Sequence, residues 1–325
     1  MIHSLFYLSR PVLTGIIVIF FFYTPPCRAQ AEATPPAGRL ILPSGIHTVP
    51  LQWYGDSVLA RWEPHAALLL PVKFPHCPEQ FYMQFDLGAT YSMFYSQPLK
   101  EIQLAYPLAV QLKDSAAILP DGCFTTGSMP VRVTEMPVRQ SGLPAEDRYG
   151  CRIIGTIGAD LVENKVVVID YPQMTLCIGD SMPAGIRARI TLSDFIFSGR
   201  RILLPARIRD KKTLLYFDTG SSAYELISNE ATCRLLATPG GTSQQYQVNS
   251  WGKMITAHTL PTGDSITIAS QKLPIRQVTY MTGMHHTQVE QMMKLGIGGM
   301  TGNKLFLHSV LVLDTRRRKM GIAFP

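Results

Sequence analysis

The sequence predicts an all-β protein built from two similar halves. Three observations carry that reading. From Leu40 onward most of the chain is short apolar or alternating runs, such as Arg39-Leu40-Ile41-Leu42 and Val58-Leu59-Ala60, punctuated by Pro, Gly and Asp. That is the pattern of many short strands joined by turns. The run Phe81-Tyr82-Met83-Gln84-Phe85-Asp86-Leu87-Gly88-Ala89 returns in altered form as Leu215-Tyr216-Phe217-Asp218-Thr219-Gly220-Ser221. The blocks around these two runs also recur in the same order, as an internal duplication requires.

The duplication can be followed block by block. Leu69-Leu70-Pro71-Val72-Lys73-Phe74 precedes Asp86 as Leu203-Leu204-Pro205-Ala206-Arg207-Ile208 precedes Asp218, each predicting a strand, a loop and a second strand ending in the acidic turn. Downstream, Ile153 to Leu161 matches Ile297 to Leu305, and Val166-Val167-Val168-Ile169-Asp170 matches Val310-Leu311-Val312-Leu313-Asp314, at a constant offset of 144 positions. Each half then closes on a last strand, Met174 to Ile178 and Lys319 to Phe324. Only two short helices are expected, over Ser228 to Leu236 and Thr287 to Leu295. Asp170 and Asp314, at equivalent strand ends, are expected to cap the turns that follow.

The first thirty residues stand apart. Arg10 precedes the apolar run Leu13 to Tyr23, then Pro25-Pro26 and the small residues around Ala29 to Ala31. A charged start, a short apolar core and a cleavage site predict a secretory signal peptide over residues 1–30, and so an exported chain, secreted or periplasmic. The run is short for a bilayer span. Cys27 lies near the position for lipid attachment, but prolines occupy the places where a lipoprotein signal has small residues. The organisation expected is therefore signal 1–30, first lobe 31–182 and second lobe 183–325, with no membrane span once the signal is removed.

Composition narrows the function. A net charge of +7, partly local to Arg316-Arg317-Arg318-Lys319, lacks the basic-aromatic interleaving of a nucleic-acid surface. Cys77, Cys123, Cys151, Cys177 and Cys233 form no C-x-x-C pair, and His285-His286 has no neighbouring ligand set, so metal binding is not expected. With five cysteines at least one stays unpaired; Cys123 with Cys151 is the first pairing to expect. No G-x-S-x-G elbow is present, which sets a serine hydrolase aside. Trp53, Trp62 and Trp251 read as core or cleft-wall residues.

The acidic turns carry the chemistry. An apolar strand delivers a carboxylate to its end, glycine permits the tight turn, and flanking hydroxyls orient the acid. Two such turns brought together make a carboxylate pair that shares one proton. With these blocks in hand the chain resembles the pepsin-like and retropepsin-like aspartic peptidases over Leu40 to Pro325. The resemblance implies a bilobal double β-barrel with a central cleft, a monomer that binds an extended peptide or protein substrate and cuts it by activating water. It implies Asp86 and Asp218 as catalytic dyad and Gly88 and Gly220 as turn residues. It further implies Thr219 as a brace between the two loops and Ser221 as the residue orienting its aspartate. Three departures are visible: Leu87 stands where the family has threonine, Ala89 where Ser221 has its hydroxyl, and only Phe124, within Asp121 to Ser128, is offered in place of a flap tyrosine. Leu87 leaves a second reading open, a module of this fold that binds peptide or other extracytoplasmic partners without cutting.

Overall fold

A computed structural model describes residues 40–58, 61–112, 117–139, 150–250, 253–283 and 296–325. The expected signal peptide, the helix expected over 287–295, His285-His286 and Trp251 lie outside those residues.

The described chain is mostly β-sheet. An eight-stranded sheet gathers the strands of the first half that lie between residues 40 and 157, except Ile46–Pro50, and a six-stranded sheet with a three-stranded partner gathers those between 196 and 301. The strands that lead to the aspartates, Phe81–Phe85 and Lys211–Phe217, lie inside these sheets. Phe81–Phe85 is buried at every position, which explains its unbroken apolar character.

Register shows that the sequence repeat is a structural repeat. Phe81–Phe85 pairs in parallel with Ile153–Ile157, Tyr82 opposite Ile153 and Phe85 opposite Ile157. In the second half Leu214 lies opposite Ile297 and Phe217 opposite Thr301, again in parallel. Both ladders slip at the same place, between Tyr82 and Met83 and between Leu214 and Leu215. An irregularity kept in both copies is a feature of the unit, not an accident of one strand.

A third sheet, of six strands, takes strands from both halves. Its two middle strands, Val166–Asp170 and Val310–Asp314, run antiparallel with Val168 opposite Val312. Those two valines are duplication partners, so an approximate two-fold axis passes between them. Asp170 and Asp314 cap as expected: Asp170 accepts from Gln173 N at 3.0 Å and Asp314 from Arg317 N at 2.9 Å. Thr315 strengthens the seam, its hydroxyl donating to Val162 O at 2.6 Å.

Two sequence expectations need correction. A helix over Ser96–Ala105 was not anticipated, because Pro98 and the short length obscure its pattern; proline is tolerated in a first turn, and Leu99 and Ile102, three apart, are its buried face. No disulfide joins Cys123 to Cys151 or links any of the five cysteines. Cys123 lies exposed on a hairpin strand, whereas Cys151 is buried and accepts from Gln52 Nε2 at 3.1 Å. The helix expected over Ser228 to Leu236 is present as Glu230–Leu236, capped by Asn229 Oδ1, which accepts from Thr232 N at 2.8 Å.

Candidate active site

The two acidic turns meet at the junction of the halves. Asp86 hangs from the end of its strand by Asp86 N donating to Ile157 O at 2.9 Å, and Asp218 by the matching bond to Thr301 O at 3.0 Å. Each aspartate then folds back on its own turn. Asp86 Oδ1 accepts from Gly88 N at 2.9 Å and Ala89 N at 3.2 Å, while Asp218 Oδ1 accepts from Gly220 N at 2.8 Å. The carboxyl groups lie within hydrogen-bonding reach of each other, and both residues are fully buried.

Gly88 and Gly220 are required, but for a reason other than turn geometry. Neither has a positive φ. An ideal Cβ on Gly88 would sit 2.5 Å from Asp218 Cγ, and one on Gly220 would sit 2.6 Å from Asp86 Cγ. Each glycine therefore makes room for the carboxylate of the other half, and any side chain there would push the pair apart. The reciprocity is that of the two-fold seen in the shared sheet.

Thr219 spans the halves. Its Oγ1 donates to Phe85 O at 2.7 Å and accepts from Leu87 N at 2.7 Å. The return bridge is missing, since Leu87 has no hydroxyl and its side chain is instead wholly buried in the core. Ser221 Oγ donates to Asp218 Oδ2 at 2.8 Å. Ala89, its counterpart, has no side-chain hydroxyl to donate, and Asp86 Oδ2 receives no hydrogen bond from a donor group of the protein.

This asymmetry orders the two acids. Burial, followed by the neighbouring Asp218 charge, pushes Asp86 well above the usual carboxylate range. Burial also raises Asp218, to about 6, opposed by the hydrogen bonds from Ser221, Asp86 and Gly220. The hydrogen bonds on Asp218 favour its ionised form, so the asymmetry biases a shared proton toward Asp86.

Several contributors escaped the sequence reading. Tyr216 donates from its hydroxyl to Gly88 O at 3.1 Å, reaching across the junction beside both acids. Asn303 Nδ2 donates to Thr219 O at 3.0 Å and to Ser222 Oγ at 2.9 Å, while its Oδ1 accepts from Tyr171 OH at 2.7 Å. The signal was present, since Gln84 and Ala159 stand at the equivalent positions of the first half and Tyr216 and Asn303 break the likeness. Phe124 does not cover the aspartates. It is buried against Phe74 and Phe94, and its hairpin ends at Gly127, packed on Thr48 and Val49. Trp62 is not core either, being 50% exposed.

A cavity of about 1090 Å³ lies where the ribbon around Trp62 faces the segments around Tyr224, Tyr246 and Lys304, with neither aspartate in its wall. Among the described residues no group of three His, Cys, Asp or Glu could hold a metal ion, and no helix is long and apolar enough to cross a membrane.

No family model matches the chain, and no curated protein matches it. Among solved structures it is similar to conglutin gamma, a basic 7S globulin from lupine seeds, at 11% identity over 86% of this chain and 95% of that one, with a TM-score of 0.48. It is also similar to an aspartic proteinase from Irpex lacteus, at 11% identity over 86% and 97%, TM-score 0.49. A third likeness is to basic 7S globulin from soybean, at 11% identity over 86% and 95%, TM-score 0.44.

Proposed function

We propose that this chain is an exported aspartic endopeptidase, with Asp86 and Asp218 as a water-activating pair. The observation that supports it is the convergence of two buried carboxyl groups from duplicated turns, each given room by the glycine of the other. Two acids so placed cannot both ionise cheaply, which supplies an acid and a base at one point.

The roles follow from the hydrogen bonds. Asp218, with Ser221 and Gly220 on its oxygens, is the ionised partner and takes a proton from the attacking water. The water oxygen bonds to the scissile carbonyl carbon, and Asp86 gives its proton to the carbonyl oxygen. The tetrahedral intermediate collapses as the C–N bond breaks. The leaving amine takes the proton held by Asp218, and Asp86 recovers its own from the hydroxyl that becomes the new carbonyl. No metal or organic cofactor enters. The substrate is an extended peptide segment, met outside the cytoplasm by a monomeric chain.

The test is cleavage of an unfolded protein by the purified chain lacking residues 1–30. Asp86→Asn and Asp218→Asn each remove at least a thousandfold of the rate, and a statine-type mimic of the tetrahedral intermediate blocks the wild type. Cleavage surviving in both variants would remove the pair from the mechanism. Leu87 favours one other reading, a peptide-binding module without turnover, because only half of the brace is built. Binding of an unfolded peptide with no cleavage between pH 3 and 8 would select it.

A further inference from the structure

The cavity between the ribbon around Trp62 and the segments around Tyr224, Tyr246 and Lys304 is a candidate binding site in its own right. Its volume, about 1090 Å³, lies just above the usual range for small-molecule sites. The wall comes from both halves of the chain.

Its formal acidic and basic charges balance. Glu63 and Glu225 stand against Lys304 and Arg276. Glu63 pairs with Lys304 Nζ at 2.6 Å, and Glu225 Oε2 accepts from Arg276 N at 2.6 Å and Gln277 N at 2.8 Å. A strongly charged ligand finds no surplus of opposite charge there. What the wall offers instead is flat rings and carboxamides: Trp62, 50% exposed, with Tyr246, Gln245 and Gln277. The Trp62 ring lies against Gly55, close to where a Cβ would project, so the ribbon backs one face of it.

One buried hydroxyl of the wall is poorly satisfied. Tyr224 is 4% exposed, and its hydroxyl makes no hydrogen bond of good geometry, although the Tyr246 hydroxyl lies within reach of it. Tyr246 and Glu63, the other group that acts on it, line the same cavity. A bound polar group would complete that poorly aligned contact.

We propose that this cavity binds a neutral oligosaccharide. A pyranose has an apolar face of C–H groups, which stacks on an indole, and a rim of hydroxyls, each both donor and acceptor. Carboxamides and a phenol match that rim without needing charge. The site is separate from the peptidase reading, since neither aspartate lines it.

The experiment is titration of the chain lacking residues 1–30 with three uncharged probes: cellohexaose, xylohexaose and chitohexaose. Tryptophan fluorescence and calorimetry read binding, with an uncharged extended hexapeptide as comparison. At least one sugar binds with a dissociation constant below 1 mM, and Trp62→Ala weakens it at least tenfold, about 1.4 kcal/mol. Tyr224→Phe, which keeps the ring, weakens it less. Circular dichroism establishes that each variant is folded. Binding of the hexapeptide but no sugar, no binding by any probe, or equal sugar affinity in folded Trp62→Ala would each overturn the proposal. Cleavage of protein is not part of the readout, so the site and the dyad fail or stand independently.

Discussion

Ala89 stands in the first acidic turn where Ser221 stands in the second, and the two aspartates differ accordingly. Ser221 Oγ donates to Asp218 Oδ2 at 2.8 Å, while Asp86 Oδ2 has no donor group of the protein to accept from. A carboxylate that lacks such a donor holds its proton more firmly. The missing hydroxyl is thus one difference that leaves Asp218 the more readily charged of the pair.

The first prediction restores that hydroxyl. Ala89→Ser supplies Asp86 with the donor its partner has, lowering its proton affinity and evening out the pair. The basic limb of the pH–rate profile moves to lower pH by about 1 unit, the size expected when a buried carboxylate gains one hydrogen bond. An unmoved basic limb would show that the asymmetry has another origin.

The brace gives the second. Thr219→Val keeps shape but removes a hydroxyl that both donates to Phe85 O and accepts from Leu87 N. Two buried groups lose a partner, so unfolding free energy falls by about 2–4 kcal/mol, and the rate falls at least tenfold as the turns drift. Leu87→Thr builds the return bridge and raises the rate at saturating peptide. It also gives up the burial of a leucine side chain, about 2 kcal/mol by transfer, so activity and stability move in opposite directions. A rate that follows stability downward would mean the bridge is not what limits the pair.

Linkage supplies the third. Asp218 titrates at about 6 when folded, against an ordinary value of 3.8. The folded chain therefore binds more protons than the unfolded chain between those values, and stability from this group declines as pH rises through the window. Asp218→Asn removes a buried charge that exists only above it. The variant is more stable than wild type at pH 8, on the order of 2 kcal/mol, and equal to it near pH 3.5. Denaturant melts at the two pH values decide the matter; a variant less stable at both would contradict the assignment.

A fourth concerns the ion pair that ties the ribbon to the second half. Burial would raise Glu63, but hydrogen bonds from His65 and Lys304 and the Lys304 charge outweigh it and bring the acid down to about 2. A depressed carboxyl stabilises fully above its ordinary 4.5 and loses that contribution as pH falls toward 2. Lys304→Met destabilises at pH 7 by about 1–2 kcal/mol, a figure reduced because the pair is partly exposed, and has little effect at pH 2. Equal destabilisation at both values would make the lysine a packing residue.

Much of this arrangement was legible in the sequence because duplication writes everything twice. The matched offsets locate the strands beside each aspartate, and Tyr82 against Ile153 with Leu214 against Ile297 shows the correspondence holding residue by residue. Thr219 and Ser221 occupy the places their side chains suggested. What could not be read were contacts between distant segments that differ in the two copies. Asn303 and Tyr216 act at the junction because they replace Ala159 and Gln84, and nothing local to either says what it will meet. The glycines were recognised for the wrong physical reason, since a turn explains a glycine within its own loop and only the assembled pair shows what fills the space. Phe124 failed as a lid for a similar reason: a hairpin's direction is set by the core its aromatic joins, here Phe74 and Phe94.

The central claim is that one proton is held between two named carboxyl groups, and carboxyl-carbon NMR of the chain labelled at aspartate reads it directly. Comparison with Asp86→Asn and Asp218→Asn assigns the two signals. The account predicts that one resonance titrates near pH 6 and that the other keeps its proton well above the usual carboxylate range. Each variant should return the surviving acid toward a single, independent titration. Two carboxyl groups that both ionise below pH 4.5 in the wild type, each indifferent to loss of the other, would contradict it.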